Sequence, residues 1–357
     1  MRRLLLVVVL LGAAAFLVGG GVSCDTVEFQ PDCYVALKPG PTENATGLVE
    51  ISGTPSYASS GELRLTTIAV EEDLGLTGWL RAAVSGSQRT VPRTSIFPSD
   101  ADREEVTRQN AALMSDSQLT ATTVALRHAG FEVDEVPAGA RVTELLTDAA
   151  ERDLRVGDVI SAVDGQPTLD SAEVAEAIGS TSPGEPVTLE VVRDGQPLML
   201  EVLVGHDPRD PDRPLLGVLL TSQHALPVDV DIDAGVIGGP SAGLVFALSI
   251  IDLLDPGDLT GGAVVAGTGT LTSDGRVGPV GGVRQKILGA AEASDGDARP
   301  ATVFLVPEGN LDEARGVPVD RDLLVVPVAS LDEALDAVAE VRAGRRPAGA
   351  LALSASR

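Results

Sequence analysis

Leu4 to Cys24 is an uncharged, mostly apolar run, close to the roughly 20 residues a helix needs to cross a bilayer. Beyond it the pattern changes repeatedly. Glu62 to Val70 alternates with period two, Leu63, Leu65 and Ile68 being apolar, and predicts a strand. Asp102 to His128 carries Val106, Ala112, Met114, Leu119, Val124 and Leu126 at helical steps and predicts a helix that Gly130 ends. Short strands follow in Phe131–Val136, Ala140–Leu146 and Leu154–Gly165. Next come a capped helix from Ser171 to Ile178 and a strand pair, Val187–Arg193 and Met199–Val204, joined through Asp194 and Gly195.

Further along, Leu215–Leu220 is an apolar strand and Val228–Asp233 alternates with period two. Leu244–Leu254 is an apolar helix that stops before Pro256 and Gly257, Ala263–Thr270 is a buried strand, and a second helix starts at Val283. Phe304–Pro307 predicts another strand and Leu331–Val341 a last helix.

Arg2 and Arg3 precede the apolar N-terminal run, while Asp25, Glu28 and Asp32 follow it. The positive-inside rule therefore puts the N-terminus in the cytoplasm and the body outside. An uncleaved transmembrane helix fits the length, and a signal peptide cleaved near Gly19–Ser23 is the alternative. Both cysteines, Cys24 and Cys33, lie just past this segment, where an oxidising compartment permits a disulfide; lipid modification of Cys24 is a further option.

A formal charge of −26 and a pI near 4.3 argue against nucleic acid as a partner, because phosphates require a basic surface. With 3% aromatic residues, the core has to come from Val, Leu, Ile and Ala. Of 26 basic residues only Lys38 and Lys286 are lysines, a scarcity that singles out Lys286. No His-Glu-x-x-His motif occurs, so no metal and no cofactor is expected. Asn44-Ala45-Thr46 would be a glycosylation acceptor only in a eukaryotic secretory setting.

Leu154-Arg-Val-Gly157-Asp158-Val159-Ile160, then Val163-Asp164-Gly165 and the Ser171–Ile178 helix, resemble a PDZ domain over about 125 to 205. By itself Gly157-Asp158 is a turn between strands. The resemblance implies a module that captures an extended peptide as an added strand beside a helix. It places the carboxylate-binding loop at Ala129-Gly130-Phe131, so Gly130 and Phe131 become candidate peptide-binding residues.

Gly235-Val-Ile-Gly238-Gly239-Pro240-Ser241-Ala242-Gly243 runs straight into an apolar helix, so Ser241 sits at a helix N-terminus. The bland reading is an N-cap, for which serine is preferred and to which an adjacent proline is suited. The chemical reading is a nucleophile at a helix end whose N–H groups and dipole stabilise an oxyanion. Lys286 lies on the first turn of the next helix, a poor place for a cation, beside Val283, Ile287 and Leu288. Burial lowers a lysine toward the pH range where it acts as a base, and arginine cannot do this.

Gly239-Pro240-Ser241-Ala242-Gly243 and Gly281-Gly282-Val-Arg-Gln-Lys286 together resemble the proteolytic domain of the Lon family, from about 215 to 342. The resemblance implies a Ser241–Lys286 catalytic dyad, supported by Gly239, Pro240 and Ala242, with Thr268 positioning the lysine. Gly238 departs from the family, whose bacterial members usually carry an acid there. No Gly-x-x-x-x-Gly-Lys-Ser/Thr loop is present, so ATP-independent cleavage of exposed segments is expected.

The order of anchor, PDZ and Lon-type domain resembles the membrane-bound PDZ and Lon-like peptidases of bacteria. The expected fold is α+β: an N-terminal transmembrane helix, a small β-rich PDZ-like domain and a C-terminal Lon-type α/β domain. The expected divisions are anchor or signal 1–24, neck 25–124, PDZ 125–205, proteolytic domain 206–345 and flexible tail 346–357. Partners would be protein or peptide substrates and the membrane, with homo-oligomerisation open. One rival is a histidine-based triad, but His128, His206 and His224 lie in no serine motif. Another is an inactive membrane PDZ adaptor that keeps the fold.

Overall fold

The computed structural model describes residues 33–354 apart from 73, 98–102, 134–136, 147–152, 169–170, 194–195, 208–209, 225 and 293–298. The Leu4–Cys24 run, Cys24 and the Asp194-Gly195 turn lie outside the described residues. Cys33 is disulfide-bonded. Among the described residues, no helix is long and apolar enough to cross a membrane.

In chain order, strands β1 (Tyr34–Asn44), β2 (Val49–Ser52) and β3 (Glu62–Glu71) lead to helix α1 (Gly75–Val84), strand β4 (Arg89–Pro92) and the long helix α2 (Arg103–His128). Then follow β5 (Pro137–Leu145), β6 (Val159–Val163), β7 (Gln166–Pro167), helix α3 (Ser171–Gly179), β8 (Pro186–Arg193), β9 (Gln196–Leu203), β10 (Gly205–Asp207), β11 (Asp210–Leu215) and β12 (Val218–His224). The last part holds β13 (Asp229–Ile232), α4 (Gly243–Leu254), β14 (Val264–Gly267), β15 (Thr270–Leu271), β16 (Val277–Gly278), α5 (Val283–Glu292), β17 (Val303–Pro307), α6 (Leu311–Ala314), β18 (Leu323–Val328), α7 (Leu331–Arg342) and β19 (Leu351–Leu353).

The expected neck is not a separate piece. β1, β3 and β4 complete a seven-stranded mixed sheet in the order β19-β18-β17-β14-β3-β1-β4. β3 pairs in parallel with β14, Leu63 opposite Val265 and Leu65 opposite Gly267, so two stretches about 200 residues apart in sequence share one core. Side chains alternate across this sheet. Leu65, Val265, Leu305 and Val326 pack on one face with Leu244, Phe246 and Ile250 of α4. Ala266, Phe304, Val306 and Val325 pack on the other face with Val283, Ile287 and Leu288 of α5. The expected flexible tail is corrected as well, because β19 pairs antiparallel with β18 and buries Leu353.

Between α2 and β13 the chain builds a second sheet in the order β12-β5-β6-β8-β9, with its own core of Val142, Ile160, Val174, Leu189 and Val191. Gly157-Asp158 is more than a turn: the Asp158 carboxylate accepts two bonds from Arg193, each 2.8 Å, and one from the Arg155 N–H. Burial opposes the charge on Asp158, yet these donors hold its carboxyl below the usual range. Leu215–Leu220 was expected to open the proteolytic domain. Instead β12 adds to this second sheet, and the chain returns to the first core only at β13, which pairs with β2.

Candidate active site

The first sheet brings together Ser241, Thr268 and Lys286. Lys286 Nζ lies 2.7 Å from Ser241 Oγ and 2.9 Å from Thr268 Oγ1. Thr268, at the end of β14, donates its hydroxyl to the Ser241 carbonyl at 3.0 Å. Its proton being committed there, the Thr268 oxygen receives an N–H of Lys286, which orients the amine with its remaining valences toward Ser241.

Lys286 is 3% exposed and Thr268 fully buried. Desolvation by this burial lowers the Lys286 ammonium to about 8. The cause is the apolar packing of α5 around Ile287 and Leu288, not a neighbouring charge. Ser241 lies in a single 3-10 turn, Pro240–Ala242, leading into α4, and its side chain caps neither segment. The N-cap reading therefore gives way: the hydroxyl faces the lysine.

The remaining supporting residues are held from outside the expected motif. The Gly239 N–H donates to the Asn110 carbonyl at 2.9 Å, and Ser117 Oγ donates to the Pro240 carbonyl at 3.1 Å. Both partners belong to α2, which clamps the loop bearing Ser241. Ala242 is buried in the core beneath it. A Cβ on Gly238 would come within 2.9 Å of Asn110 Cβ, so α2 occupies the space an acidic side chain would need. Asn110 and Ser117 were missed because nothing in an amphipathic pattern announces a contact 123 residues away in sequence.

Ser241 and Lys286 open into a cleft of about 480 Å³ whose walls include Leu65, Ile68, Met114, Val236 and Ile237. Gly130 and Phe131 are far from the expected role. Gly130, at φ +85°, ends α2 by donating to Arg127 O, and the Phe131 N–H donates to Leu126 O. Their amides terminate a helix and are not presented to a peptide. His128 Nδ1 stands 3.8 Å from Asp332, and His206 is exposed on β10. The His224 side chain lies outside the described residues.

Comparison with known proteins gives two domain matches. Residues 128–204 match the PDZ domain, and residues 221–340 match the Lon protease (S16) C-terminal proteolytic domain. A probable periplasmic serine endoprotease, DegP-like, from Pseudomonas fulva is 45% identical over 78 residues, 21% of this chain and 16% of that protein. Lon protease 2 from Herpetosiphon aurantiacus is 43% identical over 99 residues, 27% of this chain and 11% of that protein. The matches thus cover only a small part of each relative's length. The crystal structure of the PDZ domain of an SdrC-like protein from Listeria monocytogenes is 23% identical, covering 25% of this chain and 93% of that one at a TM-score of 0.23. The chain carries a PDZ domain and a Lon-type proteolytic domain in a mixed α/β fold.

Proposed function

We propose that the chain is an ATP-independent serine endopeptidase in which Ser241 is the nucleophile and Lys286 the general base. The observation that carries this reading is the 2.7 Å contact between a buried amine and a hydroxyl at the mouth of a cleft. An amine lowered to about 8 is partly neutral at physiological pH and can take the Ser241 proton as the hydroxyl attacks a peptide carbonyl. The protonated amine then gives that proton to the departing amine of the substrate, and water repeats the sequence on the acyl-enzyme. The N-terminal end of α4 would stabilise the tetrahedral oxyanion.

β3 supports substrate binding in extended form. Its pairing with β14 ends at Leu65, and from Thr66 to Ile68 the same strand lines the cleft. Folded proteins would not present such a segment, so the substrates are exposed or flexible stretches. The PDZ domain would recognise them, and Leu4–Cys24 would hold the body outside the cytoplasm at the membrane; the word periplasmic in the name of the DegP-like relative agrees with that side.

The test is hydrolysis of an intrinsically unfolded protein by the purified chain without nucleotide. Cleavage is expected, with loss of at least 1,000-fold in Ser241→Ala and in Lys286→Ala, on the scale of about 10³–10⁶ for removing a nucleophile or its base. Undiminished cleavage by either variant would overturn the dyad.

A further inference from the structure

Leu74 to Ser99 holds three arginines and no Asp or Glu over 26 residues, the longest acid-free stretch in a chain with 52 acidic side chains. The stretch thus carries a formal +3 where the whole chain stands at −26. It builds α1 and β4, which close one end of the seven-stranded sheet. β4 is the edge strand, paired to β1 with Thr90 opposite Ala36 and Pro92 opposite Tyr34, and α1 packs across β1 and β4. Glu71 and Glu72, just before the stretch, are paired with Lys38 and Arg93, while Arg81 on α1 and Arg89 on β4 are exposed.

α1 is apolar on two sides. Leu74, at its start, and Ala82 are buried against Ala36, with Tyr34 and Trp79 packed beside them. Leu80 and Val84, one turn apart, share the outer side and are 51% and 85% exposed. A helix on the surface of a globular body keeps polar residues outward, so this side lacks its cover. Two observations name what covers it. Tyr34 touches the α1 core, and the nine steps from Cys33 back to Cys24, where the uncharged apolar run ends, reach at most about 32 Å. A bilayer holding Leu4–Cys24 is therefore within reach of α1. The chemistry also matches: apolar side chains flanked by arginines and a tryptophan suit an anionic lipid interface. A second copy of this face would instead bring one +3 stretch against another.

We propose that α1 docks on the membrane: Leu80 and Val84 enter the headgroup boundary of an anionic bilayer, and Arg81 and Arg89 meet its phosphates. The inference rests on the anchoring part of the proposed function and deepens it, because docking gives the body one orientation at the bilayer. Two exposed apolar side chains bind weakly by themselves, and the anchor supplies the second signal by holding α1 at high effective concentration near the surface. The docked end also borders the site. Arg284, two residues before Lys286, donates to the Gly86 carbonyl at 2.7 Å in the turn between α1 and β4. The substrates this orientation favours are polypeptide segments lying close to the bilayer surface.

Trp79 is the only tryptophan in the chain, so its fluorescence reports on α1 alone. The full chain is reconstituted into vesicles of phosphatidylcholine and phosphatidylglycerol in roughly equal parts, with and without acyl-brominated lipid as quencher, and vesicle flotation is measured alongside. Brominated lipid is expected to quench Trp79 strongly. Leu80→Ser with Val84→Ser, and separately Arg81→Gln with Arg89→Gln, are expected to remove most of the quenching while flotation stays unchanged. The arginine pair corresponds to docking weakened on the order of 30-fold. Met199→Ser, exposed on β9 of the PDZ sheet, is expected to change nothing. Trp79 emission in detergent checks that each variant keeps the α1 core. Flotation without quenching, or quenching that survives both pairs, overturns the docking and leaves the anchor standing; a parent chain that does not float overturns the anchor and the docking with it. Equal quenching in phosphatidylcholine alone overturns the anionic-lipid assignment. Retained quenching with an oligomeric state in detergent that changes in Leu80→Ser with Val84→Ser would give this face to a second copy and overturn the proposal.

Discussion

Thr268 stands 2.9 Å from Lys286 Nζ and, with its own proton, holds the carbonyl of Ser241. One hydroxyl thus fixes the Lys286 amine by accepting and the Ser241 backbone by donating. Thr268→Val keeps the shape and removes both bonds. It is expected to lower kcat by about 10–100-fold with little change in KM, the scale of losing a group that orients a catalytic one. Thr268→Ser, which restores the hydroxyl, should recover most of the rate. Steady-state kinetics on a quenched peptide would check both, and a KM change with unaltered kcat would place Thr268 in substrate binding instead.

The pH dependence follows from which form of Lys286 is active. In the proposed dyad the neutral amine accepts the proton, so the rate is expected to track the deprotonated fraction: kcat/KM should rise about tenfold per pH unit below the midpoint and level off above it. Burial puts that midpoint near 8 instead of the ordinary 10.5. Lys286→Arg, always charged, is expected to be inactive throughout. A profile flat from pH 6 to 9 would contradict a lysine base.

The same burial has a consequence for stability. A folded-state value of about 8 against 10.5 means that the unfolded chain binds the extra proton between those two pH values. Stability therefore rises with pH across that window, and below it the full penalty applies, on the order of 3 kcal/mol. Lys286→Met removes the charge and fills similar space. It is expected to be more stable than the parent at pH 7, the difference shrinking as pH rises from 8 toward 10.5. Denaturant midpoints at pH 7 and pH 10 would measure this, and an inactive but less stable Lys286→Met would refute it.

Much of the site was readable in the residues because its chemistry is local. A lysine at a helix start, in a chain that otherwise uses arginine, conflicts with an ordinary structural role; a serine between small residues at a helix start fits an N-cap and stands out only beside that lysine. What could not be read is where period-two strands pair. The alternation of Glu62–Val70 predicts a strand but says nothing of its neighbour, so neither its parallel partner Val264–Gly267 nor the discontinuous core they share is legible from it. Leu215–Leu220 misled for the same reason: an apolar strand can join either sheet, and the β5 edge took it. Gly130 reads equally as a ligand loop in the sequence because a glycine ending a helix and a glycine shaping a carboxylate loop leave the same mark there.

The clamp of α2 on the Ser241 loop gives a test that couples two residues far apart in sequence. Gly238 has no side chain, and a Cβ there would lie 2.9 Å from Asn110 Cβ, closer than two carbons can sit. Gly238→Ala must push α2 away or drag the loop with it, stretching the bond from the Gly239 N–H to Asn110 O. Overpacking of this kind costs about 1–3 kcal/mol. Activity is expected to fall roughly 10-fold or more, since a small misplacement of a nucleophile is expensive. Asn110→Gly removes the atom that collides and leaves the carbonyl in place, at about 0.3 kcal/mol of helix propensity, Asn being a weak helix former already. The double variant should therefore be more active than Gly238→Ala alone, although Asn110→Gly by itself is mildly harmful. Measured kcat/KM for the four proteins closes the cycle. Simple additivity of the two losses would mean that α2 does not govern the position of Ser241.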